Sequence, residues 1–233
     1  MKKILVWLSG WVDSAVSAYL LKKQWYEVTA GFMINYLAPE WETCPTKEDI
    51  EVAKEVAAFL EIPFYTFDYR KDYSKKVLDY MYDWYKKWIT PNPDIMCNSE
   101  VKFKVFLDEA LDHWFDGIAM GHYARIEQIP LSQPFPPGEK GVEQNVASSL
   151  PWGETERGIF KLLKWIDQTK DQSYFLAGLN QFQLSKALFP IWDLEKSEVR
   201  KIALEIFLKL NFDFLKFKAL ILFCLGYLVK WRL

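Results

Sequence analysis

Short apolar runs alternate with segments of helical periodicity along most of the chain. Apolar stretches of strand length occupy residues 3–8, 26–34, 63–69 and 115–120. Helical spacing of apolar residues marks residues 15–23, the segment behind Thr46, and residues 73–87, 103–111, 171–188 and 194–208. Repeated strand–helix units are joined by right-handed crossovers and indicate a parallel sheet flanked by helices. We therefore predict an α/β fold with ligands at the carboxyl ends of its strands.

Two regions depart from this alternation. Residues 128–158 are rich in Pro, Gln, Ser and Gly and have no period, so we interpret them as a mobile insertion. The segments on either side, 123–127 and 159–164, have strand character and could pair as a hairpin. From about residue 207 an aromatic and apolar tail begins. Its apolar run is shorter than the roughly 20 residues that span a bilayer, so we predict no membrane segment.

Composition narrows the function classes only modestly. The chain has 233 residues, a formal net charge of -2 and 51% hydrophobic residues. It therefore lacks a global basic signature, and any nucleic-acid site must be a local patch. Three widely spaced cysteines, Cys44, Cys97 and Cys224, favour thiols in a reducing compartment over a disulfide framework, so we predict a cytoplasmic protein.

The richest local chemistry lies where the first strand meets the first helix, in Ser9-Gly10-Trp11-Val12-Asp13-Ser14. The free N–H groups and the dipole of a helix start attract phosphate. Ser9 and Ser14 add hydroxyl donors. Asp13 offers the carboxylate oxygen that Mg²⁺ prefers beside phosphates. The stretch predicts a phosphate-binding loop.

This loop resembles the Ser-Gly-Gly-x-Asp-Ser motif of PP-loop ATP pyrophosphatases, with Trp11 at the second glycine. Further stretches, in order along the chain, resemble the tRNA-specific 2-thiouridylase family. They are residues 31–33, 90–98, 102–104, 121–125, 170–176, 189–190 and 199–203. The resemblance covers residues 3–203 and implies an adenine nucleotide alpha hydrolase-like fold.

The resemblance also implies an activity, namely ATP-dependent thiolation of the wobble uridine of tRNA. ATP with Mg²⁺ would adenylate the C2 oxygen, and a cysteine persulfide supplied by a sulfur-relay or cysteine desulfurase protein would displace AMP. Asp13 and Cys97 would be catalytic. The nucleotide would contact Trp7, Leu8, Ser9, Gly10, Trp11, Val12, Asp13, Ser14, Met33 and Gly121. The tRNA would contact Asn92, Pro93, Asp94, His122, Lys170, Asp171 and Gln172.

Several of these residues have a plainer interpretation. We predict that Cys97 lies in a loop before a helix start at Ser99. Such a position would give a nucleophilic thiol access to solvent and partial ionisation. The plainer interpretation is a buried apolar thiol, which is the commoner state of a lone cysteine. The Asn92–Asp94 stretch is ordinary turn chemistry. Met33 suits core packing, and the Lys170–Gln172 stretch suits an exposed helix start. Lys102 and Lys104 form either a phosphate-contacting patch or a solvated helix face.

Seven tryptophans stand where the family usually has glycine: Trp7, Trp11, Trp25, Trp88, Trp114, Trp165 and Trp192. We hypothesise that the gene uses UGA as a glycine codon and that the sequence was translated with UGA as tryptophan. After Ala203 the resemblance ends. We therefore predict a catalytic domain over residues 1–203 and an aberrant tail over 204–233, in a truncated or frameshifted chain that lacks the family's central and C-terminal domains.

Two rival functions remain open. Another PP-loop adenylating enzyme, such as a tRNA lysidine synthetase, would share the loop but would not need Cys97. A non-catalytic nucleotide- or RNA-binding remnant is the rival from another class. It is favoured by a literal Trp11 and by the absence of the family's persulfide segment, for which Cys224 has no matching surroundings.

Overall fold

A computed structural model of the chain describes residues 1–36, 45–130, 158–166 and 171–209. Its strands are β1 (Lys3–Trp7), β2 (Glu27–Ile34), β3 (Phe64–Asp68), β4 (Gly117–Ala119), β5 (Arg125–Ile129), β6 (Ile159–Leu163) and β7 (Ala187–Leu188). Its α-helices are α1 (Val12–Lys23), α2 (Pro45–Phe59), α3 (Arg70–Tyr73), α4 (Asp79–Lys86), α5 (Pro93–Met96), α6 (Phe106–Asp112), α7 (Gln181–Lys186) and α8 (Lys196–Lys209). π-Helical segments join α3 to α4 (Ser74–Leu78) and α5 to α6 (Cys97–Val105), and Ser173–Leu176 forms a 3₁₀ turn.

Five of the strands form one parallel sheet in the order β3-β2-β1-β4-β7. The chain runs outward from β1 through β2 to β3 and then returns to the other side of β1 as β4. This reversal creates a topological switch point between β1 and β4, where ligands of open α/β sheets bind. The predicted fold class is confirmed.

Alternate side chains of the central strands enter two cores. Ile4, Val6 and Leu8 lie in a cluster with residues of α1, α2 and α8, whereas Leu5 lies in a second cluster with Val101 and neighbours from the second π-helical segment and α6. Helices therefore cover both faces, which accounts for the nearly continuous apolar strands. The switch point is consequently held by a sheet that is buried on both sides.

Four helices end in the same backbone motif. In α1, α4 and α6, the residue after the C-cap has a positive φ and is a tryptophan: Trp25 (63°), Trp88 (59°) and Trp114 (63°). Each closes a Schellman pair of hydrogen bonds, such as Trp88 N–H to the Tyr85 carbonyl at 2.9 Å. The same position after α2 is Glu61, at 50°. Glycine is the usual residue there because the left-handed region crowds a Cβ.

The structure corrects several predicted boundaries. The helix predicted over 171–188 is wrong, because the segment contains the 3₁₀ turn, α7 and the two-residue strand β7. The helix predicted over 103–111 begins much earlier, at Pro93. The hairpin prediction is confirmed, since β5 and β6 pair antiparallel with Ile129 opposite Ile159. Most of the predicted insertion, the tail from residue 210, Cys44, Lys170 and Cys224 lie outside the described residues.

Candidate functional site

The loop between β1 and α1 is shaped by its own hydroxyl groups. The Ser9 N–H donates to Ser14 Oγ at 3.1 Å, and Ser14 Oγ donates to the Trp11 carbonyl at 2.8 Å. Because the Ser14 proton is used there, the Ser9 hydroxyl donates across the 3.0 Å between the two Oγ atoms. Within the described residues no side chain caps the start of α1. The first amide groups of the helix are thus left for an external anion.

The position in the loop that requires glycine is residue 10, not residue 11. Gly10 has φ +81°, and a Cβ there would lie 2.6 Å from the Asp49 carbonyl oxygen at the start of α2. Trp11 is extended (φ -110°), so residue 11 adopts a conformation open to any amino acid. Burial raises the pKa of Asp49, and a hydrogen bond from Trp11 partly opposes that shift. The Trp11 indole, half exposed, is therefore turned toward α2.

Gly121, just after β4, packs directly against the first turn of α1. A Cβ at Gly121 would lie 2.8 Å from both the Asp13 carbonyl carbon and the Ser14 nitrogen. Real Cβ contacts are not that short, so only glycine lets the two loops flanking the switch point meet. The sequence resemblance placed Gly121 at the nucleotide, and its packing puts it beside the phosphate loop.

A buried lysine that the sequence analysis missed holds the carboxylate of the loop. Lys196 Nζ, on the first turn of α8, lies 2.5 Å from Asp13 Oδ1 and 2.6 Å from the Tyr123 hydroxyl. Tyr123 also donates to Asp13 Oδ1. Its ring packs against that of Trp165, with the centroids 4.2 Å apart and the planes tilted by 43°. Since Lys196 and Asp13 lie 183 residues apart, no local pattern in the sequence links them.

Cys97 does not lie in a loop, contrary to the sequence prediction. It is the first residue of the π-helical segment that follows α5, and only 9% of it is exposed. Burial raises the pKa of its thiol, which Lys102 partly counteracts, while Asp94 adds to the increase. Cys97 shares a buried apolar cluster with Met33 and Met120 at the carboxyl ends of β2 and β4. The expected access of the thiol to solvent is absent, and its cluster neighbours place Cys97 toward the carboxyl edge of the sheet.

Lys102 connects the thiol to the end of β1. Its Nζ lies 4.4 Å from the centroid of the Trp7 ring, and Trp7 is two residues before the Ser9 turn. Burial lowers the pKa of the His122 imidazole, which lies just after β4, well below its ordinary value. The nearby Lys102 charge lowers this pKa further. The phosphate loop, His122 and Cys97 therefore share one edge of the sheet.

The residues expected to read the target base are engaged in local structure. Asn92 Oδ1 accepts from the Asp94 N–H at 3.0 Å and the Ile95 N–H at 3.4 Å, so it caps α5. Asp94 is exposed, and Pro93 occupies the first turn of α5. The turn interpretation accounts for these contacts.

Asp171 and Gln172 also make structural hydrogen bonds. Asp171 accepts from the Trp165 N–H at 2.9 Å and from the Ser173 hydroxyl at 2.8 Å. Although burial opposes them, these bonds lower the Asp171 pKa. Gln172 Oε1 accepts from the Tyr123 N–H at 3.1 Å. The adjoining 3₁₀ turn contacts the segment that follows Asn92–Asp94. The contact is a hydrogen bond from Asn98 Nδ2 to the Phe175 carbonyl at 3.2 Å.

The loop is compatible with Mg²⁺ supplied together with a nucleotide. Among the described residues no group of three or more His, Cys, Asp or Glu side chains could hold a metal by itself. Mg²⁺, however, commonly uses one or two carboxylates together with substrate phosphates. Asp13, with 30% of its side chain exposed, is the residue that would supply the carboxylate.

Comparison with known proteins identifies the family. Residues 2–213 match the family model described as tRNA methyl transferase HUP domain. The chain belongs to this family. A relative from Christiangramia forsetii, named tRNA-specific 2-thiouridylase MnmA, is 46% identical over 208 residues, which are 88% of this chain and 47% of that protein. A Staphylococcus aureus (strain JH9) protein of the same name is 43% identical over 204 residues, which are 87% of this chain and 48% of that protein.

The chain spans about half the length of the curated relatives it matches. A solved structure, the U34-tRNA thiolase NcsA of Methanococcus maripaludis with its [4Fe-4S] cluster, has a TM-score of 0.50 and 20% identity. The alignment covers 91% of this chain and 57% of the thiolase chain. At this identity the likeness supports only the fold. In the part of the chain that the structure describes, every helix is too short or too polar to cross a bilayer.

Proposed function

We propose that this HUP-domain chain carries the ATP-dependent step and the nucleophilic thiol of tRNA-uridine 2-thiolation at the wobble position. The names of the relatives give the reaction, and the geometry supplies a physical basis for it. A phosphate loop with uncapped helical amides lies on the same edge of the sheet as a cysteine. That shared edge, connected through Trp7 and Lys102, is the observation that carries the proposal.

The chemistry needs an activated oxygen because the C2 oxygen of uracil is a poor leaving group. Attack of that oxygen on the α-phosphorus of ATP releases pyrophosphate and forms an adenylated base. The amide groups of the loop and the start of α1 would hold the phosphates, and the Ser9 and Ser14 hydroxyls fix the shape of the loop. Mg²⁺ bound through Asp13 would neutralise phosphate charge.

Sulfur transfer would follow on the Cys97 side of the edge. The terminal sulfur of a donor persulfide adds at C2 and AMP departs. The Cys97 thiolate then attacks the remaining donor sulfur, so that a disulfide forms and the C2–sulfur bond stays on the base. A thiol reductant resets the cysteines. The donor would be a sulfur-relay or cysteine desulfurase protein, and the site of action the cytoplasm, where tRNA is modified.

For tRNA contact, we propose the surface formed by Asn92–Asp94 and the start of the 171–176 segment, with the buried His122 as a further contact. The contact between Asn98 and Phe175 brings the first two together. Uracil must leave its stack to reach buried chemistry. Asn92 and Asp94 lie at the start of α5, which leads directly into Cys97, and this supports a role for their polar groups in reading the extruded base.

The test combines two readouts on the full chain with unmodified tRNA. We expect tRNA-dependent exchange of labelled pyrophosphate into ATP, and 2-thiouridine in the digested tRNA when a persulfide donor is added. C97S should keep the exchange and lose 2-thiouridine, whereas D13N should lose both. Thiolation that survives in C97S would contradict the proposed role of Cys97, whereas exchange in the unaltered chain without any 2-thiouridine would favour another adenylating enzyme. Absence of both activities in the unaltered chain would favour a non-catalytic remnant.

The family model is described as a tRNA methyl transferase HUP domain, so methylation of tRNA is a competing activity that the test must separate from thiolation. Replacement of oxygen by sulfur and addition of a methyl group change the nucleoside mass by different amounts, so mass spectrometry of the digest separates the two. A methylated nucleoside formed without ATP would overturn the proposal.

A further inference from the structure

The π-helical segment that begins at Cys97 has a geometric consequence for Lys102. In an α-helix, with 3.6 residues per turn, side chains five residues apart point about 140° away from each other. In a π-helix the backbone hydrogen bond joins residues five apart, so the turn is wider and residue i+5 points much closer to the direction of residue i than it does in an α-helix. Cys97 and Lys102 are separated by five residues inside one such segment. The wide turn therefore brings the lysine to the thiol side of the helix.

Lys102 has an unusual environment for a lysine. Its ammonium lies in the interior over the Trp7 ring, at 4.4 Å, and burial lowers its pKa. Among the described residues, no carboxylate lies within ion-pair distance of its Nζ. Lys104, two residues further on, instead points to solvent and pairs with Glu100 at 2.9 Å. The two lysines of this segment thus have different roles, and only Lys102 lacks a fixed anion.

The electrostatics of Cys97 and Lys102 are complementary. Burial alone disfavours both the thiolate and the ammonium, so each would be driven toward its neutral form. Each charge favours the other, however, and a thiolate–ammonium pair carries no net charge into the interior. A cation beside a cysteine is a general means of raising its thiolate fraction. The ionisation of each group therefore depends on the charge of the other.

The other groups that face the pair do not replace this cation. Asp94, on α5, is negative and opposes the thiolate. Tyr73, at the end of α3, is kept neutral because burial raises its pKa, and the charge of Cys97 adds to that increase. His122 is kept neutral by burial and by Lys102 itself, and its Nδ1 has no hydrogen-bond partner among the described residues. Lys102 is the positive group that these elements direct at Cys97.

We propose that Lys102 is the positioning residue for the Cys97 nucleophile, holding its thiolate as a buried ion pair beside the end of β1. This role deepens the proposed function and rests on it, since the thiolate is what attacks the donor sulfur. The π-helical turn is the feature that brings Lys102 toward the thiol side of the helix. It also explains how a cysteine inside a helix can be reactive without the exposed loop that the sequence suggested.

The experiment measures the ionisation of Cys97 directly, with no ATP, tRNA or sulfur donor. In the full chain with Cys44 and Cys224 changed to serine, the rate of alkylation of Cys97 by iodoacetamide is followed against pH by mass spectrometry. K102M removes the charge at similar length, and K102Q is a second neutral replacement. We expect both to move the midpoint upward by about one pH unit or more, which makes alkylation at pH 7 about tenfold slower.

Two matched variants complete the design. K102R keeps the charge and should retain a midpoint near that of the parent. K104M removes a neighbouring exposed charge and should leave the midpoint unchanged. An unmoved midpoint in the neutral Lys102 variants, or an equal shift in K104M, would overturn the proposal. If the midpoint shifts but no 2-thiouridine forms, the proposed function fails alone; if thiolation occurs with an unmoved midpoint, the role of Lys102 fails alone.

Discussion

The candidate site includes two helix starts, and their free amide groups are treated in opposite ways. α5 is capped by its own sequence, because Asn92 Oδ1 accepts from two of its first N–H groups. α1 has no side-chain cap among the described residues, and its nearby hydroxyls bond to the loop backbone instead. The comparison indicates that α1 is built to receive an external anion, whereas α5 is built to hold Cys97 in place.

The largest expected effect comes from disturbing the open start. In G121A, the new Cβ would collide with the backbone of Asp13 and Ser14. Overpacking of this kind costs about 1–3 kcal/mol, and we expect ATP affinity, measured by equilibrium dialysis, to fall by about tenfold to a hundredfold. G178A is the matched control, because a Cβ there would meet only ordinary contacts, at 3.4 Å or more. Equal ATP affinity in G121A and the parent would show that the open helix start is not the nucleotide site.

The next effect concerns the lysine that anchors α1 to α8. K196M leaves the Asp13 carboxylate without its ammonium partner, and we expect the free energy of unfolding to fall by about 2 kcal/mol. K104M removes an exposed pair and should change it by less than about 0.5 kcal/mol. Urea denaturation followed by fluorescence measures both. A K196M chain as stable as the parent would mean that Lys196 does not hold the loop.

A smaller effect separates the two helix starts most directly. N92A removes the cap of α5, and loss of such a cap costs about 1 kcal/mol of stability. ATP affinity should stay within about twofold of the parent, because α5 has no anion to bind. If N92A weakened ATP binding as strongly as G121A, the contrast between the two starts would be wrong.

The smallest effect tests the ends of the helices rather than their starts. Replacement of Trp25, Trp88 or Trp114 by glycine relieves a left-handed residue, and we expect each change to raise the free energy of unfolding by about 0.5–1 kcal/mol. W192G, outside this group of positive-φ positions, is the control and should not stabilise the chain. Destabilisation by all three changes would contradict the strain argument.

These three positions also bear on the recoding hypothesis. The sequence resemblance selected seven tryptophans, and the backbone independently places three of them where glycine is ordinarily required. The hypothesis stays a prediction, and peptide mass spectrometry of the protein from its natural source decides it. Tryptophan found at residues 25, 88 and 114 would end it.

Strong local patterns made most of the fold predictable. β1 to β4 were found because apolar strands were bounded by clear helix starts. β7 was missed because a two-residue strand has no period, although Asn180 and Gln183 form a capping box that could have revealed the start of α7. Pro93 in the first turn of a helix was likewise a readable signal, and it would have placed Cys97 inside the helix.

The site was only partly predictable, for a physical reason. The phosphate loop is local, so six consecutive residues were enough to find it. The partner of Asp13 comes from the far end of the chain, and the partner of Cys97 depends on a change of helix type. Neither leaves a pattern in a single sequence, since both arise from packing.

The β5–β6 hairpin makes the chain suitable for engineering. Ile129 and Ile159 form the last pair of the antiparallel ladder, so the chain leaves β5 and enters β6 at adjacent positions. A fluorescent reporter with adjacent termini could be spliced in at this position without separating the strands. Gln181 makes two hydrogen bonds to the Phe160 backbone, and β6 contacts the 3₁₀ turn. The hairpin is thus linked to a segment proposed to bind tRNA, so such a reporter could signal docking by light.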